Sequence, residues 1–145
     1  MHNRRRAREI ALKVLYGLDV AGGDEDEALS LFWEIHQPVK KGGGEEEEKV
    51  RSFAGLLVRG AWRNRRDLDE LIGRFSEHWS VGRMSRVDRS ILRMAAFELL
   101  HCQDIPPKVT INEAIDLGKT YGSENSGAFI NGILDALYNQ HKAAP

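Results

Sequence analysis

The chain has 145 residues, of which 41% are hydrophobic and 30% charged, and this composition suits one globular domain spanning residues 1–145. Its one cysteine excludes an internal disulfide, and no run of about 18 apolar residues is present that could span a membrane. The formal net charge is −1, but the positive and negative charges lie in different parts of the chain. Residues 1–20 carry five basic residues against two acids, and residues 21–48 carry nine acids against two lysines. This separation of charge indicates distinct surfaces for distinct partners.

Helical periodicity begins at the N-terminus. The first predicted helix ends at Gly22-Gly23, since glycine favours helix C-termini, and its apolar face consists of Ile10, Ala11, Val14, Leu15 and Leu18. The second predicted helix ends before Pro38 and directs four apolar residues inward: Ala28, Leu31, Phe32 and Ile35. Residues 37–48 hold three glycines and four consecutive glutamates, and a flexible surface loop leading into a helix N-terminus is predicted there.

The middle of the chain contains three further apolar stripes at helical spacing. The first is Val50, Phe53, Ala54, Leu57, Val58 and Ala61. The second follows a start at Asn64 or Asp67 and is Leu68, Leu71, Ile72 and Phe75. Ser85 is the predicted N-cap of the third, whose inward residues are Val87, Ile91, Met94, Ala95 and Leu99.

After a break at residues 104–107, Thr110 and Glu113 have the spacing of a capping box, which predicts a helix start; that helix ends at Gly122. Ser123 or Ser126 begins the last helix, which turns inward Phe129, Ile130, Ile133, Leu134 and Leu137. No convincing strand pattern is found. The periodicity therefore predicts an all-α fold of about seven helices.

Catalytic patterns are not found in the sequence. The five histidines are scattered with no i, i+4 pair, no His/Cys cluster has zinc spacing, and the glycines at 42–44 lack the Gly-Lys-Ser/Thr of a phosphate-binding loop. Cys102 follows His101 directly, and helical neighbours point in different directions, which favours a packed thiol over a nucleophile. We therefore predict no catalytic residue, no metal, no cofactor and no enzymatic activity, and the single cysteine suggests a cytoplasmic location.

A basic cluster at the N-terminus gives the clearest local signal of function. It contains Arg4, Arg5, Arg6 and Arg8, and arginine both pairs with phosphate and stacks on bases. Tyr16 is placed on the flank of the same predicted helix, where an exposed ring can stack on unpaired bases. Single-stranded RNA binding is one interpretation; a solvated tail with Tyr16 at the edge of the core is the other.

Several motifs resemble the NusB family of bacterial transcription antitermination factors. They occur in family order and cover nearly the whole chain outside residues 37–50: RRRAREIALKVLY at 4–16, SRVDRSILRMAAFEL at 85–99, PPKVTINEAI at 106–115 and FINGILD at 129–135. The resemblance implies two small packed helical bundles. It also implies binding of boxA RNA together with the ribosomal protein NusE, in a complex with NusA, NusG and RNA polymerase that keeps transcription of ribosomal RNA operons processive.

The resemblance also assigns the RNA-binding residues by position. These are Arg4, Arg5, Arg6, Arg8, Tyr16, Asn125, Ser126 and Phe129. Asn125 stands where relatives carry an acid, and Gly127 and Ala128 stand where they are often polar or basic, so weaker phosphate and partner contacts are expected at this turn. The partner protein is expected to dock on helices within residues 75–100.

Three alternatives remain open on the sequence alone. The same fold could serve as a protein-interaction module without RNA contact, with its arginines solvated. It could be the RNA-binding domain of a ribosomal RNA cytosine methyltransferase, which would require a further methyl-donor domain. It could also self-associate as a homodimer, in which the RNA-binding face is buried against a second copy.

Overall fold

A computed structural model describes residues 2–36, 44–77 and 80–143, and within these ranges the chain forms seven α-helices and no strand. The helices are α1 (His2–Ala21), α2 (Glu25–Ile35), α3 (Gly44–Arg63), α4 (Arg65–Arg74), α5 (Arg86–His101), α6 (Pro107–Tyr121) and α7 (Ser126–Ala143), with a 3-10 turn at Val81–Arg83 before α5. The predicted all-α fold is confirmed. No helix in the described part of the chain is long and apolar enough to cross a membrane.

Two predicted helix boundaries are confirmed in atomic detail. The chain leaves α1 through Gly22 and Gly23, whose φ values of 73° and 110° lie in the region that only glycine adopts without strain. Ser85 caps α5, because its side-chain hydroxyl accepts a hydrogen bond of 3.1 Å from the backbone N–H of Asp88.

The helices pack as two groups that share α5. In the N-terminal group, α1 packs along α3 and also contacts α2; in the C-terminal group, α6 packs along α7. Helix α5 contacts α1, α3, α4, α6 and α7, and its residues 90–98 are all buried. The predicted pair of helical bundles is confirmed, but this stretch of α5 presents no free face, so the expected partner surface within residues 75–100 is restricted to other parts of that segment.

The predicted inward face of the second helix is wrong at two positions. Leu31 and Ile35 are exposed, whereas Leu29 is the buried residue of α2. Within the described residues, the main contacts of α2 are with α1 and α3, and the exposed side chains of Leu31 and Ile35 leave one side of its apolar surface uncovered. Leu31 and Ile35 line a groove of about 410 Å³ between α2 and the end of α1.

The helix N-terminus predicted at the end of residues 37–48 is present, but the helix begins earlier in this segment than expected. Helix α3 begins at Gly44, which places all four glutamates in or near its first turn, where the helix dipole favours negative charge. Glu47 also pairs with Arg6 of α1, which holds this end of α3 in place. Residues 37–43, including Pro38, lie outside the described residues.

The predicted capping box at the start of α6 is also wrong. The helix begins at Pro107, a residue type well suited to the first helical position because its φ is already helical and it has no N–H to satisfy. Thr110 and Glu113 therefore lie within the helix. The Thr110 hydroxyl donates to Glu98 of α5, and Glu113 accepts hydrogen bonds from Arg5 and Arg8 of α1.

Candidate nucleic-acid interface

Three of the four predicted arginines reach the surface, each on a different side of α1. Arg4 lies beside the α5–α6 connection, Arg5 beside α6 and Arg6 beside α3, and all three side chains are at least two-fifths exposed. Successive residues of a helix are rotated by about 100°, so a run of arginines fans out around the helix axis. We call Arg4, Arg5 and Arg6 the arginine arm.

Arg8 differs from the expectation that it faces RNA, because it is only 3% exposed. Its guanidinium makes a two-pronged pair with Glu98, through Nε to Oε1 at 2.9 Å and Nη2 to Oε2 at 2.8 Å. Nη1 also reaches Glu113 Oε1 at 3.5 Å, and the Thr110 hydroxyl donates to the second oxygen of Glu98. Arg8 thus joins α1 to α5 and α6 inside the protein and is not available to a ligand.

Arg5 is held by two carboxylates of α6. Its Nη2 lies 2.7 Å from Glu113 Oε2 and 3.3 Å from Asp116 Oδ2. The hydrogen bond and negative charge of Glu113 raise the pKa of Arg5 above its ordinary value. These groups line a cavity of about 160 Å³ between α1 and α6, which also includes Glu9 and Tyr121.

The other two arm residues are paired in the same way. Arg4 Nη2 lies 3.1 Å from Asp104 Oδ2, and its guanidinium is 5.2 Å from the centre of the Phe53 ring. Arg6 Nη1 lies 2.8 Å from Glu47 Oε2. Each arginine is therefore positioned by an acid from a segment distant in sequence.

Two exposed tyrosines flank the cavity side of α1. Tyr16 lies on the same face of α1 as Arg5 and Glu9, since these positions are separated by 11 and 7 residues. Glu9 accepts a hydrogen bond of 2.7 Å from the Tyr121 hydroxyl, and this bond raises the pKa of Tyr121. The sequence analysis did not select Tyr121, although an aromatic residue directly before the α6–α7 turn is a signal that could have found it.

The residues predicted to contact RNA at the turn before α7 differ in burial. Asn125 is exposed, and its backbone carbonyl accepts from the N–H of Phe129 at 3.1 Å. Ser126 is buried, and its hydroxyl accepts from the Ser123 N–H at 2.9 Å, which indicates that it shapes the turn. Phe129 is partly buried and packs against the core.

A cluster of carboxylates opens α2 and consists of Asp24, Glu25 and Asp26, with ligand atoms within 4.8 Å of one another. Two arginines of α3 already occupy it. Arg59 donates to Asp26 at 2.7 Å, and Arg63 donates to Glu25 and to Asp26 at 3.1 Å each. This cluster is best explained as the contact that holds α2 against α3.

Cys102 is a packed thiol, as the sequence analysis expected. The residue is buried, and burial together with the charge of Glu98 raises the pKa of its thiol to about 11. A thiol with a raised pKa is a poor nucleophile at neutral pH, since the thiolate is the reactive form. The groups that the candidate interface offers to a ligand are therefore the arginines of the arm, the tyrosine rings and the carboxylates beside them.

Comparison with known proteins gives a consistent result. The NusB family model matches residues 5–139. A transcription antitermination protein NusB from Syntrophus aciditrophicus (strain SB) is 59% identical over 138 residues, covering 95% of this chain and 81% of the relative. The solved structure of T. maritima NusB has 40% identity and a TM-score of 0.81, with 94% and 91% of the two chains covered. Antitermination factors NusB and NusE in complex with double-stranded RNA match with a TM-score of 0.81, 30% identity and coverage of 97% and 98%.

Proposed function

Because this chain belongs to the NusB family, we propose that it is a transcription antitermination factor that binds single-stranded boxA RNA together with the ribosomal protein NusE. In this role it catalyses no reaction and acts in the cytoplasm, where nascent transcripts are made. The complex then joins NusA, NusG and RNA polymerase and promotes processive transcription of ribosomal RNA operons.

The observation that carries the proposal is the face of α1 on which Arg5 and Tyr16 lie, with Tyr121 of α6 directly beside it. Arginine supplies bidentate contacts to phosphates, and exposed aromatic rings stack on unpaired bases without needing a particular sequence. A surface that combines both groups at one helix suits single-stranded RNA.

Two other predicted residues lie at the turn that follows Tyr121. Asn125, which is exposed, and Phe129, which is partly buried, follow Tyr121 closely along the chain, across the α6–α7 turn. We assign direct RNA contacts to Arg4, Arg5, Arg6, Tyr16, Asn125 and Phe129. Ser126 and Arg8 are given structural roles, since both are buried and already hydrogen-bonded.

The proposed function is tested by fluorescence anisotropy of a short labelled boxA-type RNA, titrated with the protein alone and with equimolar NusE. We expect tighter binding with NusE and weaker binding to a scrambled strand of equal length and composition. A duplex of the same sequence shows whether the protein requires unpaired bases. Equal binding to boxA and scrambled strands, with or without NusE, would contradict recognition of boxA. No binding to either strand would contradict the proposal as a whole and favour a protein-interaction role without RNA contact.

Tyr121 provides a test of the stacking component. Replacing Tyr121 by alanine should weaken RNA binding by about 5- to 150-fold, because stacking of one base on an aromatic ring contributes roughly 1–3 kcal/mol. Tyr121→Phe is the matched control: it keeps the ring and removes only the hydroxyl that donates to Glu9. Anisotropy with the same RNA measures both, and a thermal melt checks the fold. Unchanged affinity for Tyr121→Ala would exclude this ring from the interface.

A further inference from the structure

Every guanidinium of the arginine arm forms an ion pair with at least one carboxylate of the same chain. Arg4 pairs with an acid of the α5–α6 connection, Arg5 with two acids of α6 and Arg6 with an acid of α3. The four partners, which we call the acidic mask, are Asp104, Glu113, Asp116 and Glu47. Three positive charges therefore face four negative charges, so the charge of the arm is balanced within the folded protein.

The members of the mask differ in how firmly they are held. The Glu47 and Glu113 side chains are 12% and 14% exposed, and Glu113 also receives a contact from buried Arg8. The Asp104 and Asp116 side chains are 70% and 56% exposed. Exposed ion pairs contribute little stability because water screens them and the side chains lose rotamer freedom, so a competing anion can displace them.

We infer that Asp104 and Asp116 set the affinity and selectivity of the interface by competing with RNA phosphates for Arg4 and Arg5. This inference rests on the proposed function. An RNA strand binds only when its phosphates replace both carboxylates while its bases gain contacts elsewhere on the face. A polyanion that lacks those base contacts gains little binding free energy, because its phosphates only take the place of carboxylates that already pair with the arginines. The mask thereby suppresses binding to RNA of the wrong sequence.

Removing either aspartate should increase RNA affinity, a change that misfolding of the variant cannot produce. Asp104→Asn and Asp116→Asn should each bind the boxA-type RNA about two- to fivefold more tightly at low salt, in line with the strength of exposed ion pairs. The gain should be larger for the scrambled strand, so discrimination between the two RNAs falls. It should shrink as salt is raised, since screening weakens exposed pairs.

Asp135→Asn is the matched control for total charge. Asp135 is an exposed aspartate of α7 that pairs with none of the arm arginines in the described part of the chain, and the substitution changes the net charge by the same amount. If Asp104→Asn and Asp116→Asn exceed this control, the effect is local. If all three variants bind alike, the mask does not compete with RNA.

A double-mutant cycle separates the mask from the proposed function. Arg5→Ala alone should weaken RNA binding, and in that background Asp116→Asn should give no gain, because the arginine with which Asp116 pairs is absent. An additive gain in the Arg5→Ala background would overturn the inference while leaving RNA binding intact. If Arg5→Ala and wild type bind RNA equally, the proposed role of the arm fails instead.

Discussion

Replacing Arg8 by alanine is expected to lower the free energy of unfolding by about 3–5 kcal/mol, because it leaves the Glu98 carboxylate buried without its cation. Glu98 is 1% exposed, and among the residues that the structure describes only the Thr110 hydroxyl still donates to it after the change. Breaking one half of a buried ion pair costs far more than losing an exposed pair, since the remaining charge has no water to solvate it. Urea denaturation followed by circular dichroism measures the difference.

Arg5→Ala is the matched comparison, because it removes the same side chain three positions earlier on α1, where the residue is exposed. We expect the two variants to behave oppositely. Arg8→Ala should unfold at much lower urea concentration, whereas Arg5→Ala should fold like wild type and bind RNA weakly. If Arg8→Ala were as stable as Arg5→Ala and lost RNA affinity instead, Arg8 would have to contact RNA directly.

A second substitution identifies the buried charge as the cause. Adding Glu98→Gln to Arg8→Ala should restore part of the stability, because the amide carries no charge and its oxygen can still accept from Thr110. No recovery in the double variant would mean that the loss comes from the packing of the long Arg8 side chain and not from the unpaired carboxylate.

The helices could be predicted from the sequence because their signals are local. Apolar spacing identified seven segments, and Ser85 and the Gly22-Gly23 pair marked boundaries that the structure confirms. Whether an apolar residue is buried also depends on which other helices pack against it, and the spacing of apolar residues in the sequence does not determine that. Leu31 and Ile35 follow the same 3-4 pattern as the true core residues, yet no helix in the described part of the chain covers them.

The site could be predicted only as far as residue type. The arginine run was visible in the sequence, but four consecutive or near-consecutive arginines look equivalent until the helix turns Arg8 inward and leaves the arm outside. Glu113 fitted a local capping pattern, whereas its actual partners, Arg5 and Arg8, lie more than 100 positions away. Long-range pairs of this kind depend on how the helices pack, which one sequence does not specify.

Gly60→Ala is expected to lower the free energy of unfolding by about 1–2 kcal/mol, because the cost of forcing an extra group into a packed core, roughly 1–3 kcal/mol, outweighs the gain of about 1 kcal/mol from alanine in a helix. Gly60 lies on α3, where α5 packs against it, and a Cβ there would fall well inside van der Waals contact with the Phe97 ring. Phe97 is buried and also packs against His101 with ring centres 4.8 Å apart, so the ring has little room to move away. Thermal and urea unfolding measure the loss.

Gly132→Ala is the control, because Gly132 also lies inside a helix but has no heavy atom within 4 Å of the position of an added Cβ. Alanine favours helix over glycine by about 1 kcal/mol, so this variant should be slightly more stable than wild type. Opposite signs for the same substitution would locate the cost of Gly60→Ala in the α3–α5 contact. Combining Gly60→Ala with Phe97→Leu should recover part of the stability, because the shorter side chain vacates the space. A stabilising effect of Gly60→Ala alone would show that α3 and α5 are further apart than this packing requires.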